Sequence, residues 1–587
     1  MKLNIKKLAF VSLLGLSLTS CEDFLNKPTE DSYNLDNYYQ NAEQCEAGVN
    51  YLYNSPWYDF QRGFIKVGEV FSGNYYWGSS PYMTFTVNGS DEDLKNMSYS
   101  LWAVIGHANT VYQSIANSPV DQVTKDKYMG ECLVWKAMAY FFLVRSFGDI
   151  PIVHNTSEVL GTGTYNEMTK VRRADVYEYI LMTLEKACGM LPKTSDKGRI
   201  DYYSAMALMA KVYLTKAGVS GSLNQHDLDM AASCAWEIIR DVQEGRTNHK
   251  LEAKFEDAFT LANRYTPEAL ISWRWTADGS HWTRQNTLQS DLGINGIDDQ
   301  GATWGGWNGI SVDLQEAFGI KILEQQPDAW INNVDTRLHG TVMLPGFKYT
   351  QFWQDKGGFD YLWFIYNASA NMALESATGA NTVKHIYGNT YDHVTGCGVS
   401  DGRMANSLPT HLLRLADVYL IYAEAKLGAG RAASSDDSVI DAFYAVRKRA
   451  IPNATRPSSV SWEDIWKERR LEMAMEGDRW YDYVRVSYYD PEFCVNELVH
   501  QKRNAYWGLD GLYKTYSETG QWAPNSSDQG YDDTTGAPDV SSLMKADPES
   551  GKKYFFLPMS AEDVLFNPNL GSDVNGEAVN VREIYEY

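Results

Sequence analysis

Several motifs that define common enzyme classes are absent from this sequence. It has no HExxH zinc motif, no phosphate-binding P-loop and no dinucleotide fingerprint. Its 52 Lys and Arg are outnumbered by 75 Asp and Glu, and a formal charge of −23 disfavours nucleic acid as a partner. No run of 18 apolar residues follows residue 20, so the sequence predicts no membrane-spanning helix there.

Cysteine is also scarce, with seven in 587 residues and no CxxC pair. Six of them lie beyond residue 21, an even number that would permit three disulfides in an exported protein. A chain of this length does not need such cross-links, and four of the six fall in helical patterns, where cysteine behaves as a small apolar residue. The sequence therefore favours buried thiols at Cys45, Cys132, Cys188, Cys234, Cys397 and Cys494.

Aromatic residues, in contrast, are abundant. The chain has 18 Trp, 39 Tyr and 21 Phe, and 44% of its residues are hydrophobic. Such a composition can bury enough apolar surface to fold, which excludes a disordered chain. The sequence predicts a large globular protein.

The first twenty residues are typical of an export signal. Three lysines precede eleven mostly apolar residues at 8–18, a stretch too short to span a bilayer. Residues 18–21 read Leu-Thr-Ser-Cys, the pattern of a bacterial lipobox, which predicts acylation of Cys21 and cleavage before it. Several acyl chains on one residue give stable membrane anchoring. The alternative is an ordinary secretory signal that happens to end near a cysteine.

Hydrophobic periodicity divides the rest of the chain into four parts. We expect 21–587 to form one interleaved domain, with a helical part at about 38–245 and a loop-rich lobe at about 246–410. Helix pairs follow at about 411–487, and about 488–587 is again loop-rich. Helix pairs with alanine and tyrosine at the contact positions are typical of a tetratricopeptide-like stack. The predicted fold class is mainly α: a helical scaffold with an inserted irregular lobe that contains short strands.

The individual helices can be placed by their apolar spacing and their end signals. A helix over 130–147 ends at Gly148, and a Ser461-Trp462-Glu463-Asp464 capping box begins a helix expected to reach Glu476. Further helices are predicted at 173–191, 204–218, 228–243, 412–427 and 437–450.

A set of short motifs is spread along the chain: Cys21-Glu22-Asp23-Phe24-Leu25, Gly130-Glu131 through Phe147-Gly148-Asp149-Ile150-Pro151, Arg414 through Ala425, Glu468 through Asp482, Leu557-Pro558 and Asn567-Pro568-Asn569-Leu570. Together these segments resemble the SusD/RagB family of outer-membrane nutrient-binding lipoproteins of Bacteroidetes. One departure is Lys136, where the family commonly has arginine.

The resemblance implies a SusD-like, tetratricopeptide-bearing fold and a lipid-anchored position on the outer membrane. Acidic residues directly after Cys21 resemble the family's surface-export signal, which implies that the protein faces the extracellular side. The resemblance also implies a TonB-dependent transporter of the SusC kind as partner, and it implies no catalysis.

A row of carboxylates at Glu468, Glu472 and Glu476 could in principle serve a glycosidase, which needs two of them across a cleft. Nearby arginines, at 469, 470 and 479, can neutralise these groups. We therefore expect a buried ion-pair network with a structural role.

Metal and cofactor signals are weak throughout. The ten histidines show no metal-ligand spacing, and the acidic segment 528–539 lacks the spacing of a calcium loop. We expect no metal, no cofactor and no catalytic residue.

Two loop segments meet the demands of sugar recognition. A pyranose ring offers an apolar C–H face and a fringe of hydroxyls, so its binder needs exposed aromatic rings beside polar side chains. Segment 73–80 and segment 273–307 combine both. The predicted ligand-binding residues are the platforms Trp77, Trp282, Trp304 and Trp307, the adjacent Tyr75 and Tyr76, and the hydroxyl partners Asn74, Arg284 and Asn308. The competing interpretation for each of these residues is aromatic packing inside the lobe. The aromatic residues of 349–366 we assign to core strands and not to the site.

These observations favour a non-catalytic surface protein that binds an oligo- or polysaccharide and delivers it to a transporter. The alternatives are a peptide-binding lipoprotein of a RagB-like importer and, third, an α-rich glycosidase. Segment 273–307 carries two arginines and four aspartates, a net charge of −2 that disfavours a polyanionic glycan.

Overall fold

The computed structural model describes residues 38–279, 281–534 and 537–587. Cys21 and the predicted signal at 1–20 lie outside these residues. The longer helices are α1 Ala42–Asn50, α2 Glu92–Ala116, α3 Gln122–Phe147, α4 Arg173–Cys188, α5 Tyr202–Lys216, α6 Gln225–Gln243, α7 Leu415–Lys426, α8 Asp437–Ala450, α9 Trp462–Met473, α10 Arg479–Ser487, α11 Pro491–Val499 and α12 Leu509–Thr519. The predicted mainly helical fold class is confirmed.

Shorter helices and strands fill the remainder. The short helices are Gln61–Ile65, Pro81–Thr84, Thr156–Thr162, Leu288–Leu292, Val312–Ala317, Asp328–Ile331, Thr336–Thr341, Tyr361–Asn367, Thr390–Cys397, Ala561–Phe566 and Val581–Ile584. The strands are β1 Tyr75–Tyr76, β2 Ala269–Trp273, β3 Gly309–Ile310, β4 Val342–Met343, β5 Lys348–Tyr349, β6 Phe359–Asp360, β7 Asn381–Thr382, β8 Thr410–Arg414, β9 Tyr506–Trp507, β10 Gly530–Tyr531, β11 Met544–Ala546 and β12 Lys553–Phe555. They form antiparallel pairs β1–β3, β2–β8, β4–β7, β5–β6, β9–β10 and β11–β12.

The scaffold is a succession of packed helices. From α2 to α8 each helix packs against the next one in the chain, although the whole loop-rich lobe separates α6 from α7. Helix α3 is buried along most of its length and lies at the centre, between α2 and α4. One cluster of buried apolar side chains includes members from Tyr39 to Val581, so all four parts of the chain contribute to the same core.

Most predicted helices are present, with shifted ends. Helix α3 begins at Gln122, eight residues earlier than the predicted helix, and ends at Phe147, because the next residue, Gly148, has a φ of 75° that no longer fits a helix. The capping box of Ser461 and Asp464 starts α9 as expected. That helix ends at Met473 rather than Glu476, because Ala474 leaves the helical region with a ψ of 135° and Met475 then adopts a left-handed conformation (φ 66°).

Two predictions for local structure were wrong. Residues 410–414 form strand β8, which pairs with β2, so the helix predicted over 412–427 begins only at Leu415. In 349–366 only β5 and β6 are strands, and helix Tyr361–Asn367 follows because the Asp360 carboxylate caps the Trp363 N–H at 3.0 Å. Trp363 is exposed rather than part of the core.

The glutamate row forms a buried ion-pair network, as predicted, but with other partners. Glu468 binds Arg337 at 2.6 Å, and Glu472 contacts Arg414 at 3.2 Å. Glu476 binds Arg414 and Lys384, each at 2.7 Å. The three expected arginines instead pair with other acids: Arg469 with Asp417, Arg470 with Asp313 and Arg479 with Asp482. The sequence predicted pairing with the nearest arginines, whereas the partners Arg337, Lys384 and Arg414 lie far away along the chain.

The six cysteines that the structure describes are free thiols, and four of them are buried as predicted. Cys188 and Cys397 are only half-buried, which corrects the prediction at these two positions. Within the same described residues no group of His, Cys, Asp or Glu has the arrangement of a metal site. No helix there is long and apolar enough to span a membrane.

Candidate functional site

A two-residue ladder brings the two predicted binding segments together. In it, Tyr75 pairs with Ile310 and Tyr76 pairs with Gly309, so the loop after β1 and the loop before β3 lie side by side. The ring of Trp77 then meets the edge of Trp307, with centroids 6.4 Å apart. Two segments more than 200 residues apart therefore contribute to one surface.

Three of the predicted platforms are open to solvent. Trp282 is 60% exposed, Trp307 47% and Trp304 38%, which is unusual for a residue that normally buries most of its area. Trp77 is half-buried, and so are Tyr76 and Arg284. These six residues remain candidates for ligand contact.

The other three predicted contacts are buried, so the structure corrects these assignments. Asn74 is fully buried: its amide donates to Glu69 at 2.9 Å and its carbonyl oxygen accepts from Arg470 at 2.9 Å. Tyr75 points inward because alternate residues of a strand face opposite sides, and Asn308 is 1% exposed beside β3. Asn74, Tyr75 and Asn308 support the loops from below and do not reach a surface ligand.

A ridge of polar residues that we did not predict runs beside these tryptophans. Tyr58, Arg62 and Lys66 follow one another at four-residue intervals through the short helix Gln61–Ile65 and its flanking turns. This spacing places them on one face, and their apolar neighbours, such as Phe64 and Ile65, are buried. The i, i+4, i+8 spacing of Tyr58, Arg62 and Lys66 was visible in the sequence and could have identified the ridge.

Direct contacts connect the ridge to the tryptophans. The ring of Tyr58 lies 5.9 Å from that of Trp282. Asp291 accepts from Arg62 Nη2 at 2.9 Å and Nε at 3.1 Å, and also from Trp304 Nε1 at 2.9 Å. This contact anchors the Trp304 ring while leaving much of it exposed.

The opposite end of the ridge is tied to the first loop. The Lys66 ammonium pairs with Asp93 and lies 5.1 Å from the Trp77 ring centroid. The Trp307 ring packs against Gly78, so a Cβ added at Gly78 would lie only 2.8 Å from Cζ3 of Trp307. Because Gly78 also has a φ of 52°, this position requires glycine for two reasons.

We call the set Tyr58, Trp77, Trp282, Trp304 and Trp307 the aromatic surface. Burial raises the pKa of Tyr58 to about 12, so its hydroxyl stays protonated and can donate a hydrogen bond at neutral pH. The charges beside the aromatic surface are largely paired, Arg62 with Asp291 and Lys66 with Asp93. The arrangement offers flat rings and polar side chains with little net charge.

Comparison with known proteins agrees with this architecture. A family model described as "SusD family" matches residues 267–574. The chain belongs to the SusD family. A second model, "Starch-binding associating with outer membrane", matches residues 25–214, so the two models together cover most of the SusD-like chain.

Relatives match over nearly their whole length. A SusD-like protein of Bacteroides ovatus is 28% identical over 96% of this chain and 97% of its own. A crystal structure solved with a xylogluco-oligosaccharide is 27% identical, with a TM-score of 0.74 over 91% of this chain and 99% of that one. A laminarin-binding SusD-like protein, 20% identical with a TM-score of 0.61 over 90% of this chain and 98% of that one, shares the fold.

Proposed function

We propose that this SusD-family protein is a non-catalytic, cell-surface glycan-binding protein whose ligand lies on the aromatic surface. The observation that carries the proposal is the group of exposed tryptophans at this surface. Asp291 anchors Trp304, Trp307 packs over Gly78 beside the β1–β3 ladder, and Trp282 contacts Tyr58. Exposing the apolar faces of indole rings to water is costly, and a group of indoles anchored with their faces outward is typical of a binding surface.

The chemistry of the aromatic surface suits a neutral sugar polymer. Each exposed indole can stack on the C–H face of a sugar ring, while Arg62, Arg284 and the Tyr58 hydroxyl can bind the hydroxyl fringe. A net charge close to zero offers no attraction for a polyanion. The similar protein solved with a xylogluco-oligosaccharide supports a neutral glycan here as well.

A catalytic role finds no support in the carboxylates. Glu468, Glu472 and Glu476 are buried in ion pairs and are not open to a cleft, whereas a glycosidase needs two accessible carboxyl groups across its substrate. We therefore infer binding without turnover.

Calorimetric titration with the glycan that gives the strongest signal on a glycan array tests this proposal. We expect dissociation constants between micromolar and millimolar, and about 1–2 kcal/mol of lost affinity, roughly 5- to 30-fold, in Trp282→Ala or Trp304→Ala. Trp363→Ala is a matched control, because this tryptophan is equally exposed but lies on the separate helix Tyr361–Asn367.

The same assay distinguishes the peptide alternative. Saturable binding of peptides but not of glycans would assign the protein to a peptide importer and would refute the glycan proposal. Equal losses in the Trp363→Ala control would show that the effects do not arise at the aromatic surface.

We also propose that the protein is anchored in the outer membrane through Cys21 and delivers its ligand to a SusC-like TonB-dependent transporter. The lipobox-like sequence and the family's association with the outer membrane support this. Metabolic labelling with palmitate should label the wild type and not Cys21→Ala, and affinity purification from solubilised outer membranes should recover the transporter with it. Unlabelled wild-type protein would refute the anchor.

A further inference from the structure

A cavity lies in the loop-rich lobe, apart from the aromatic surface, and no residue of the aromatic surface lines it. Its volume is about 540 Å³, within the range of small-molecule sites in proteins. Its walls come from four parts of the lobe, at 254–262, 333–340, 347–354 and 383–396. We call it the Phe347 pocket.

Flat, uncharged rings form one wall of the Phe347 pocket. The imidazole of His339 is parallel to the ring of Phe347, with centroids 3.6 Å apart and an angle of 6° between the planes. Burial lowers the pKa of His339 to about 4, so this imidazole is neutral at physiological pH. Phe259 and the buried Ile386 extend the apolar lining.

Amide and hydroxyl groups surround this apolar wall. The side chains that line the edge of the pocket are half-buried or exposed: Asn333, Thr350, Gln351, Gln354 and Thr395. These side chains combine donors and acceptors, as a ring of hydroxyls requires.

Charges at the Phe347 pocket nearly balance. Lys254 and Lys348 are matched by Glu256 and Asp257. The remaining acid, Asp392, is already engaged, because its carboxylate accepts the backbone N–H groups of 353 at 2.7 Å, 354 at 2.9 Å and 389 at 3.1 Å. Two lysines against three acids leave a net charge of −1, so the pocket offers no attraction for an anionic sugar.

We propose that the Phe347 pocket is a second carbohydrate-binding site, which holds one neutral sugar unit at a chain end or side branch. This inference rests on the proposed glycan-binding function. A concave pocket with several walls suits a terminal unit, whereas the open aromatic surface suits the interior of a chain. The outer face of the Phe347–His339 stack lies against the apolar sugar face, and the amide and hydroxyl edge binds the sugar hydroxyls.

Saturation-transfer NMR and calorimetry with glucose, xylose and galactose, the neutral sugars of xyloglucan, test this inference. At least one sugar should bind the wild type. Gln351→Ala and Phe347→Ala should weaken it at least fivefold, while the double variant Trp282→Ala/Trp304→Ala should leave it within twofold. Gln351 is half-buried on the edge of the pocket, and its replacement should not disturb folding. If Phe347→Ala does not fold, the result with Gln351→Ala decides the test.

Different results would refute the second site and the proposed function. The second site is refuted if none of the three sugars binds, or if Gln351→Ala binds as tightly as the wild type. Loss of oligosaccharide binding in Trp304→Ala would still support the aromatic surface in either case. Tyr165→Ala, an exposed ring in the segment that contacts 567–569, should change neither affinity.

Discussion

Replacing Glu472 by glutamine tests whether the conspicuous glutamate row is structural. Glu472 is fully buried and contacts three arginines: it accepts from Arg414 at 3.2 Å and from Arg449, and Arg337 lies 3.6 Å away. Glutamine keeps the shape but removes one negative charge from this buried cluster.

The expected cost follows from what each arginine retains. Breaking a buried ion pair by removing one partner typically costs 3–5 kcal/mol. Here Arg414 keeps Glu476 at 2.7 Å, and Arg449 keeps Glu268 at 2.8 Å. Arg337 keeps the carboxylate of Asp335 at 2.7 Å. No guanidinium is left without an acid, so we expect the free energy of unfolding to fall by about 3 kcal/mol, the lower end of that range.

Urea unfolding followed by circular dichroism measures this change. Glu463→Gln is the matched control, because it alters an exposed carboxylate on the same helix and should change stability by no more than about 0.5 kcal/mol. Glycan affinity should stay within twofold in both variants. A loss in Glu472→Gln below about 1 kcal/mol would refute the structural role, as would unchanged stability accompanied by lost binding.

Two further predictions concern acid stability and the first binding loop. Burial lowers the pKa of His385 to about 4 and that of His411 to about 3, so the unfolded chain binds more protons than the folded one below pH 6.5. Stability should therefore fall between pH 7 and pH 5, by about 2 kcal/mol per histidine in urea titrations. Equal stability at both pH values would contradict this. Gly78→Ala should displace Trp307 and weaken glycan binding about fivefold in calorimetry, whereas Gly106→Ala, which meets no neighbour within 4 Å, should bind normally. Unchanged affinity in Gly78→Ala would remove Trp307 from the binding site.

Local sequence signals located the helical scaffold well. Apolar spacing and end signals placed α8 over 437–450, the capping box at the start of α9, and Gly148 after α3. These features depend on residues within one or two turns of each other. Strand β8 was missed because every residue in it is buried, so it shows no alternation, and its partner β2 lies about 140 residues away.

The candidate site was predictable only in part, for a similar reason. Composition identified the loops with Trp282, Trp304 and Trp307, since they combine aromatic rings with polar side chains. The inward orientation of Asn74 and Asn308 depends on the β1–β3 pairing and on Arg470, which local sequence does not reveal. The four-part division of one interleaved domain stays a prediction.

The most direct test of the glycan-binding account is a crystal structure of the protein with the oligosaccharide that binds best in the array. The account predicts consecutive sugar rings stacked on the exposed faces of Trp282 and Trp304, with hydroxyls within hydrogen-bond distance of Arg62 or Tyr58. A bound oligosaccharide that contacts none of the aromatic surface would contradict it.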